Sequence, residues 1–148
     1  MPFADISSGT RPLARLALQL TQLSSEDRHP HTLDSIEQAL HDNERALHNT
    51  VRLKLASLQL KPEEEARRRV ALVVDQFEEV FTLCQDQEER TKFLDNLLYA
   101  SKAEDGQSVI VLTMRADFYF KCAAHSELAS SISAHQYLVG PMSEENLR

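Results

Sequence analysis

Glycine is scarce in this sequence: three in 148 residues, Gly9, Gly106 and Gly140. None begins a G-x-x-x-x-G-K-[ST] run, so no phosphate-cradling loop of that type can be written in the chain. Cysteine is nearly as rare. Neither Cys84 nor Cys122 belongs to a C-x-x-C pair, the spacing of thiolate zinc and redox motifs. Two isolated thiols fit a reducing, cytoplasmic compartment. The six histidines include no H-E-x-x-H or similar metal spacing. No apolar run approaches the roughly 20 residues of a membrane span, and the amino terminus lacks a signal-peptide pattern. Positive charge is also short: 16 Lys and Arg stand against 23 Asp and Glu, a net charge of −7. Nucleic-acid surfaces need clustered cations. The one basic run, Arg67-Arg68-Arg69, lies beside Glu63-Glu64-Glu65 and reads as a solvated helix end. Neither nucleic acid nor a membrane is an expected partner.

With 42% apolar and 26% charged residues, the chain has the composition of one ordinary globular domain. Residues 1–9 are weakly patterned; Phe3 and Ile6 suit a frayed strand. Leu13, Leu16, Leu20 and Leu23 recur at helical steps, with Thr10 placed to cap and Pro12 in the first turn. A polar loop follows over 24–31. Leu33, Ile36 and Leu40 form one stripe and Leu47, Val51, Leu55 and Leu58 another. His41-Asp42-Asn43-Glu44 between them predicts two helices or one broken one. Lys61-Pro62 ends this helix-rich amino-terminal half.

The chemistry starts at residue 70. Val70-Ala71-Leu72-Val73-Val74 is an unbroken apolar run, expected as a strand buried on both faces of a parallel sheet. Asp75 follows at once, and Glu78 and Glu79 come next. A carboxylate there sits at the carboxyl end of a strand, where open α/β sheets bind ligands. The pattern has the build of a Walker B element, whose aspartate holds Mg²⁺ beside nucleotide phosphates. A bare apolar run with a solvated acidic end has the same pattern. Residues 80–84 suggest a short helical turn. Asp86 with Glu89 predicts a capping box, and Phe93, Leu94, Leu97 and Leu98 a buried helix face. Asp105-Gly106 marks a turn, and 109–114 a second buried strand. Strand, helix, strand makes a βαβ unit with parallel strands. Their carboxyl ends share an edge, which brings Asp75 and Arg115 toward one site. Residues 117–133 are expected to be helical in short pieces, 135–140 to be a third short strand, and Ser143-Glu144-Glu145 to start a capped helix. Asp117 reads as a helix cap, and Cys84 and Cys122 as small buried residues.

Two longer motifs carry a resemblance. One is Asp75-Gln76-Phe77-Glu78-Glu79-Val80-Phe81-Thr82-Leu83-Cys84. The other is Leu112-Thr113-Met114-Arg115-Ala116-Asp117-Phe118-Tyr119, continued by His135-Gln136-Tyr137-Leu138-Val139-Gly140-Pro141-Met142-Ser143. Together they resemble the novel STAND-type P-loop NTPases, signalling ATPase domains of large bacterial proteins, often joined to WD-type repeats. The resemblance runs from about residue 10 to 148. It implies an α/β fold: a partial P-loop NTPase with α/β/α layers and a mainly parallel sheet. It implies that Asp75 is the Mg²⁺ aspartate, held directly or through water. Glu78 or Glu79 would polarise the attacking water, and Arg115 would be the sensor arginine that reads the γ-phosphate. An arginine suits that role because its planar fork pairs bidentately with phosphate oxygens. ATP and Mg²⁺ are thus the cofactors expected of the complete domain, and little tight binding is expected of this chain. The missing phosphate loop is the departure from the family. It would precede the Walker B strand, so the sequence reads as an internal piece of an ATP-dependent signal-transduction switch. The alternative is a non-enzymatic interaction or regulatory remnant, with protein partners or self-association.

Overall fold

β-branched residues favour extended backbone, and the valine-rich run forms the middle strand of a three-stranded sheet. The computed structural model describes residues 3–7, 10–23, 30–57 and 68–140. The strands are β1 (Phe3–Ser7), β2 (Val70–Asp75) and β3 (Ser108–Leu112), in the order β1-β2-β3. Both pairings are parallel. The expected βαβ unit is present, and the weakly patterned amino terminus supplies a full partner strand. The capped helix expected from Ser143 and the helix end expected at Lys61-Pro62 lie outside the described residues.

The helices are α1 (Pro12–Gln22), α2 (Pro30–Asp42), α3 (Ala46–Ser57), α4 (Glu79–Thr82), α5 (Gln87–Lys102), α6 (Tyr119–Cys122) and α7 (Ser126–His135), with a 3₁₀ turn over Ala116–Phe118. Pro12 opens α1 as expected, where its missing N–H is no loss. Thr10 is not the cap: Arg11 holds that position without a side-chain bond. The N–H of Leu13 instead donates to Glu89 Oε1 at 3.3 Å, so a first-turn donor of α1 is satisfied by α5. Asp86 caps α5 as expected and accepts from the N–H groups of Glu88 and Glu89. Glu89 is then engaged with α1, so only this half of the expected capping box is seen. The break between α2 and α3 is a turn in which Asn43 Oδ1 accepts from the Arg45 N–H. Gly106 turns the chain into β3 at φ 58°, a left-handed conformation that suits glycine.

The core lies on one face of the sheet. Side chains alternate across a strand, and the register aligns Val70, Leu72 and Val74 with Ser108, Ile110 and Leu112. This face packs against Leu13, Leu16, Leu20, Leu47, Val51 and Phe93, all fully buried. Asn96 ties the helical layer together. Its amide donates to the Leu40 and Lys92 carbonyls and accepts from the Leu47 N–H, which joins α2, α3 and α5. The other face carries Ala71, Val73, Val109 and Val111. None of these belongs to the core, and Val111 is 42% exposed. The fold is therefore α/β with a parallel sheet. Of the three expected layers, the described residues supply two: the sheet and one layer of helices.

The carboxyl-terminal end differs from expectation. His135 closes α7, and 136–140 runs on without forming the third strand. Tyr137, Leu138 and Val139 are 80–90% exposed. Among the described residues β3 is thus an edge strand.

Candidate functional site

The apolar run that makes β2 ends at Asp75, so the carboxylate emerges where the sheet stops being covered. Asp75 is exposed, while Val74 and Phe77 on either side are buried. Parallel pairing puts Asp75 beside Ser7 of β1. On the other side, Val74 pairs with Leu112, so Thr113 is the next residue opposite Asp75. The Thr113 hydroxyl donates to Asp75 Oδ1 and accepts from the Gln76 N–H at 3.1 Å. Among the described residues Asp75 Oδ2 takes no protein hydrogen bond.

After Asp75 the chain turns sharply. Gln76 has φ 51°, rare for a residue with a Cβ. The turn aims Phe77 into the core, edge-on to Phe81 with ring centroids 5.6 Å apart. Glu78 and Glu79 follow where α4 begins, both half-buried. Among the described residues, Glu78 Oε2 is buried without a hydrogen-bond partner.

Arg115 does not join this group. β3 ends at Leu112, so Arg115 lies three residues beyond the strand. Its Nε and Nη2 donate to the two carboxylate oxygens of Asp117 at 3.1 and 2.8 Å. Its guanidinium also lies over the Phe118 ring, 5.6 Å from the centroid. The expected neighbour of Asp75 at the strand end is Thr113 instead. Asp117 is not a helix cap: it sits inside the 3₁₀ turn and holds the arginine. Thr113 could not be singled out in the sequence, because the expected strand ran on to residue 114 and only the register brings Thr113 level with Asp75. Ser7 carried no signal either, because residues 1–9 lack a pattern.

The two cysteines behave as expected. Both are free and buried, and burial pushes both thiols up, away from thiolate chemistry. A cavity of about 900 Å³ lies elsewhere, lined by residues that include Glu44, His48, Asp95, Tyr99, Asp105 and Glu127. It contains none of the expected site residues. The strand-end aspartate, by contrast, has the placement that ligand chemistry in α/β sheets requires.

The profile of the family Novel STAND NTPase 1 matches residues 2–148. The chain belongs to that family. No curated protein and no solved structure matches it. Membership fits the α/β fold with its parallel sheet. In this Novel STAND NTPase 1 chain no cluster of three or more His, Cys, Asp or Glu could hold a metal among the described residues. Asp75 offers one exposed carboxylate. Mg²⁺ bound with nucleotide takes one or two carboxylates and draws its other oxygens from phosphates and water. The donor set fits that kind of site and does not fit a closed protein cage. Among the described residues no helix is long and apolar enough to cross a membrane.

Proposed function

We propose that this chain is part of an ATP-binding and hydrolysing signal-transduction switch, with Asp75 on the metal side of the nucleotide. The observation that carries the reading is the end of β2: an exposed carboxylate, held on one oxygen by Thr113 and, among the described residues, open on the other. Bound Mg²⁺ would neutralise charge on the phosphates. Glu78 is the better placed of the two glutamates to polarise a water, because its buried Oε2 lacks a donor among the described residues. Arg115 is the γ-phosphate reader. Its pair with Asp117 is exposed on both sides, 69% and 59%. An exposed ion pair is worth only about 0–1 kcal/mol, so the guanidinium is released cheaply to a phosphate. The sequence contains no phosphate loop, so the chain alone binds Mg·ATP weakly and is not catalytically complete. Its two free cysteines support a reducing, cytoplasmic setting.

The test uses a protein that carries this chain together with a G-x-x-x-x-G-K-[ST] loop. Asp75→Asn should lower Mg²⁺-dependent hydrolysis strongly. Arg115→Ala should impair hydrolysis more than nucleotide binding. Unchanged turnover in both variants would remove the two assignments. On the chain alone, calorimetric titration should find only weak Mg·ATP binding.

A second reading is a protein-interaction module without catalysis. Its specific support is the sheet face left uncovered by the described residues and the exposed Tyr137-Leu138-Val139 segment. Full hydrolysis by the loop-bearing protein would set it aside.

A further inference from the structure

Thr113 bonds to four consecutive residues around the strand end. Its N–H donates to the Val74 carbonyl at 3.0 Å, and its carbonyl accepts from the Phe77 N–H at 2.8 Å. Its hydroxyl accepts from the Gln76 N–H and donates to Asp75 Oδ1. The two main-chain bonds continue the ladder and survive any substitution. The two side-chain bonds do not. They fall on the only described residue other than glycine with positive φ, Gln76, and on the carboxylate of the proposed site.

We propose that the Thr113 hydroxyl is the positioning device of this site. It holds the left-handed turn at Gln76 and fixes the Asp75 carboxylate in one orientation, with Oδ1 engaged and Oδ2 presented outward. The inference rests on the reading of Asp75 as the metal-side carboxylate. Three physical points support it. An aspartate at an exposed strand end has little packing to select its rotamer. A hydroxyl-to-carboxylate bond is charge-assisted and directional, so it can select one. Left-handed backbone at a residue with a Cβ persists only where surrounding bonds over-determine it, and three of the bonds across this turn come from Thr113. The arrangement also joins the acid to the sensor segment. Thr113 and Arg115 are two residues apart on one stretch of chain, so a displacement of that stretch when Arg115 leaves Asp117 reaches Asp75 through Thr113.

The test compares Thr113→Val, which keeps the shape and removes the hydroxyl, with Thr113→Ser, which restores it. Side-chain couplings of Asp75 should report one χ1 rotamer in the wild type and in Thr113→Ser, and averaging in Thr113→Val. The Gln76 amide should exchange faster only in the valine variant. Thermal melting should be nearly the same in all three, which separates positioning from folding. The same Asp75 rotamer distribution and the same Gln76 exchange in the valine variant would overturn the proposal. A titration with Mn²⁺ alone tests the underlying reading separately. Broadening around residues 75–77 should occur in the wild type, weaken several-fold in Thr113→Val and vanish in Asp75→Asn. No broadening in the wild type would sink the metal assignment while the coupling data still decide the role of Thr113.

Discussion

The two faces of the sheet are built from the same strands, yet they have opposite fates. On one face Val70, Leu72 and Val74 are at most 1% exposed, in one core with residues of the helices. On the other, Ala71 and Val73 are only half-buried and Val111 is 42% exposed. Neighbouring residues of one apolar run thus differ in environment by a half-turn of the strand. The composition of a strand states what its faces would bury. Whether each face is covered depends on elements elsewhere in the chain or in a partner.

Substitutions at adjacent positions can break this comparison. The largest effect is expected at Leu72. Leu72→Ala leaves a cavity in the covered face and should lower unfolding free energy by about 2–5 kcal/mol. Val73→Ala, one residue on, should cost less than about 1 kcal/mol, because part of its surface is already in water. Denaturant titration of both variants decides; equal losses would mean that the second face is covered too.

Asn96 tests how the covered side is held. Its side chain is fully buried and serves two carbonyls and one N–H. Asn96→Ala strands those groups and should cost about 1–3 kcal/mol. A loss well below that range would show that the helical layer is fastened by apolar packing alone.

The open side is sharpened at β3. Val111→Lys should change stability by less than about 0.5 kcal/mol and reduce both self-association and binding of a hydrophobic dye, because it places charge on an exposed edge strand. Sedimentation over a range of concentrations, with dye fluorescence, gives the answer. Ile110→Lys turns the same charge toward the core and should cost clearly more than Val111→Lys, because a charge there loses water. Similar behaviour of the two lysine variants would contradict the assignment of faces.

The smallest effect belongs to Asp95 on the rim of the helical layer. Burial first, then the Glu44 carboxylate, raises its carboxyl above the ordinary 3.8. The folded chain therefore holds this proton longer than the unfolded chain. The associated stability is fully present below the ordinary value and is lost as pH rises through the raised one. Asp95→Asn removes that loss. It should raise Tm slightly at neutral pH and leave it unchanged below 3.8. Thermal melts at both acidities check the sign.

Local chemistry was legible in the sequence wherever a signal depends on nearest neighbours. The valine run made β2, leucines at helical spacing made α1 and α3, Asp86 capped α5, and Asp105-Gly106 turned the chain. The pairing of β2 with β3 followed from the order strand, helix, strand. Other features were not legible, because they depend on distance across the fold. β1 lacks a periodic pattern and is a strand because β2 offers it a ladder. Residues 136–140 have strand composition but, among the described residues, no ladder to join. Asp75 could be read as the acid of the site from its place after an apolar run. Its partner could not, since register decides it: a strand that ends at Leu112 brings Thr113 level with Asp75 and leaves Arg115 to the nearer carboxylate of Asp117. Sequence alone determined the strongly patterned helices and the two apolar strands, and which residues could carry charge at the sheet edge. Only the tertiary structure decided which of them touch, because hydrogen bonds act over a few ångströms and a shift of two residues along a strand moves a side chain by about 7 Å.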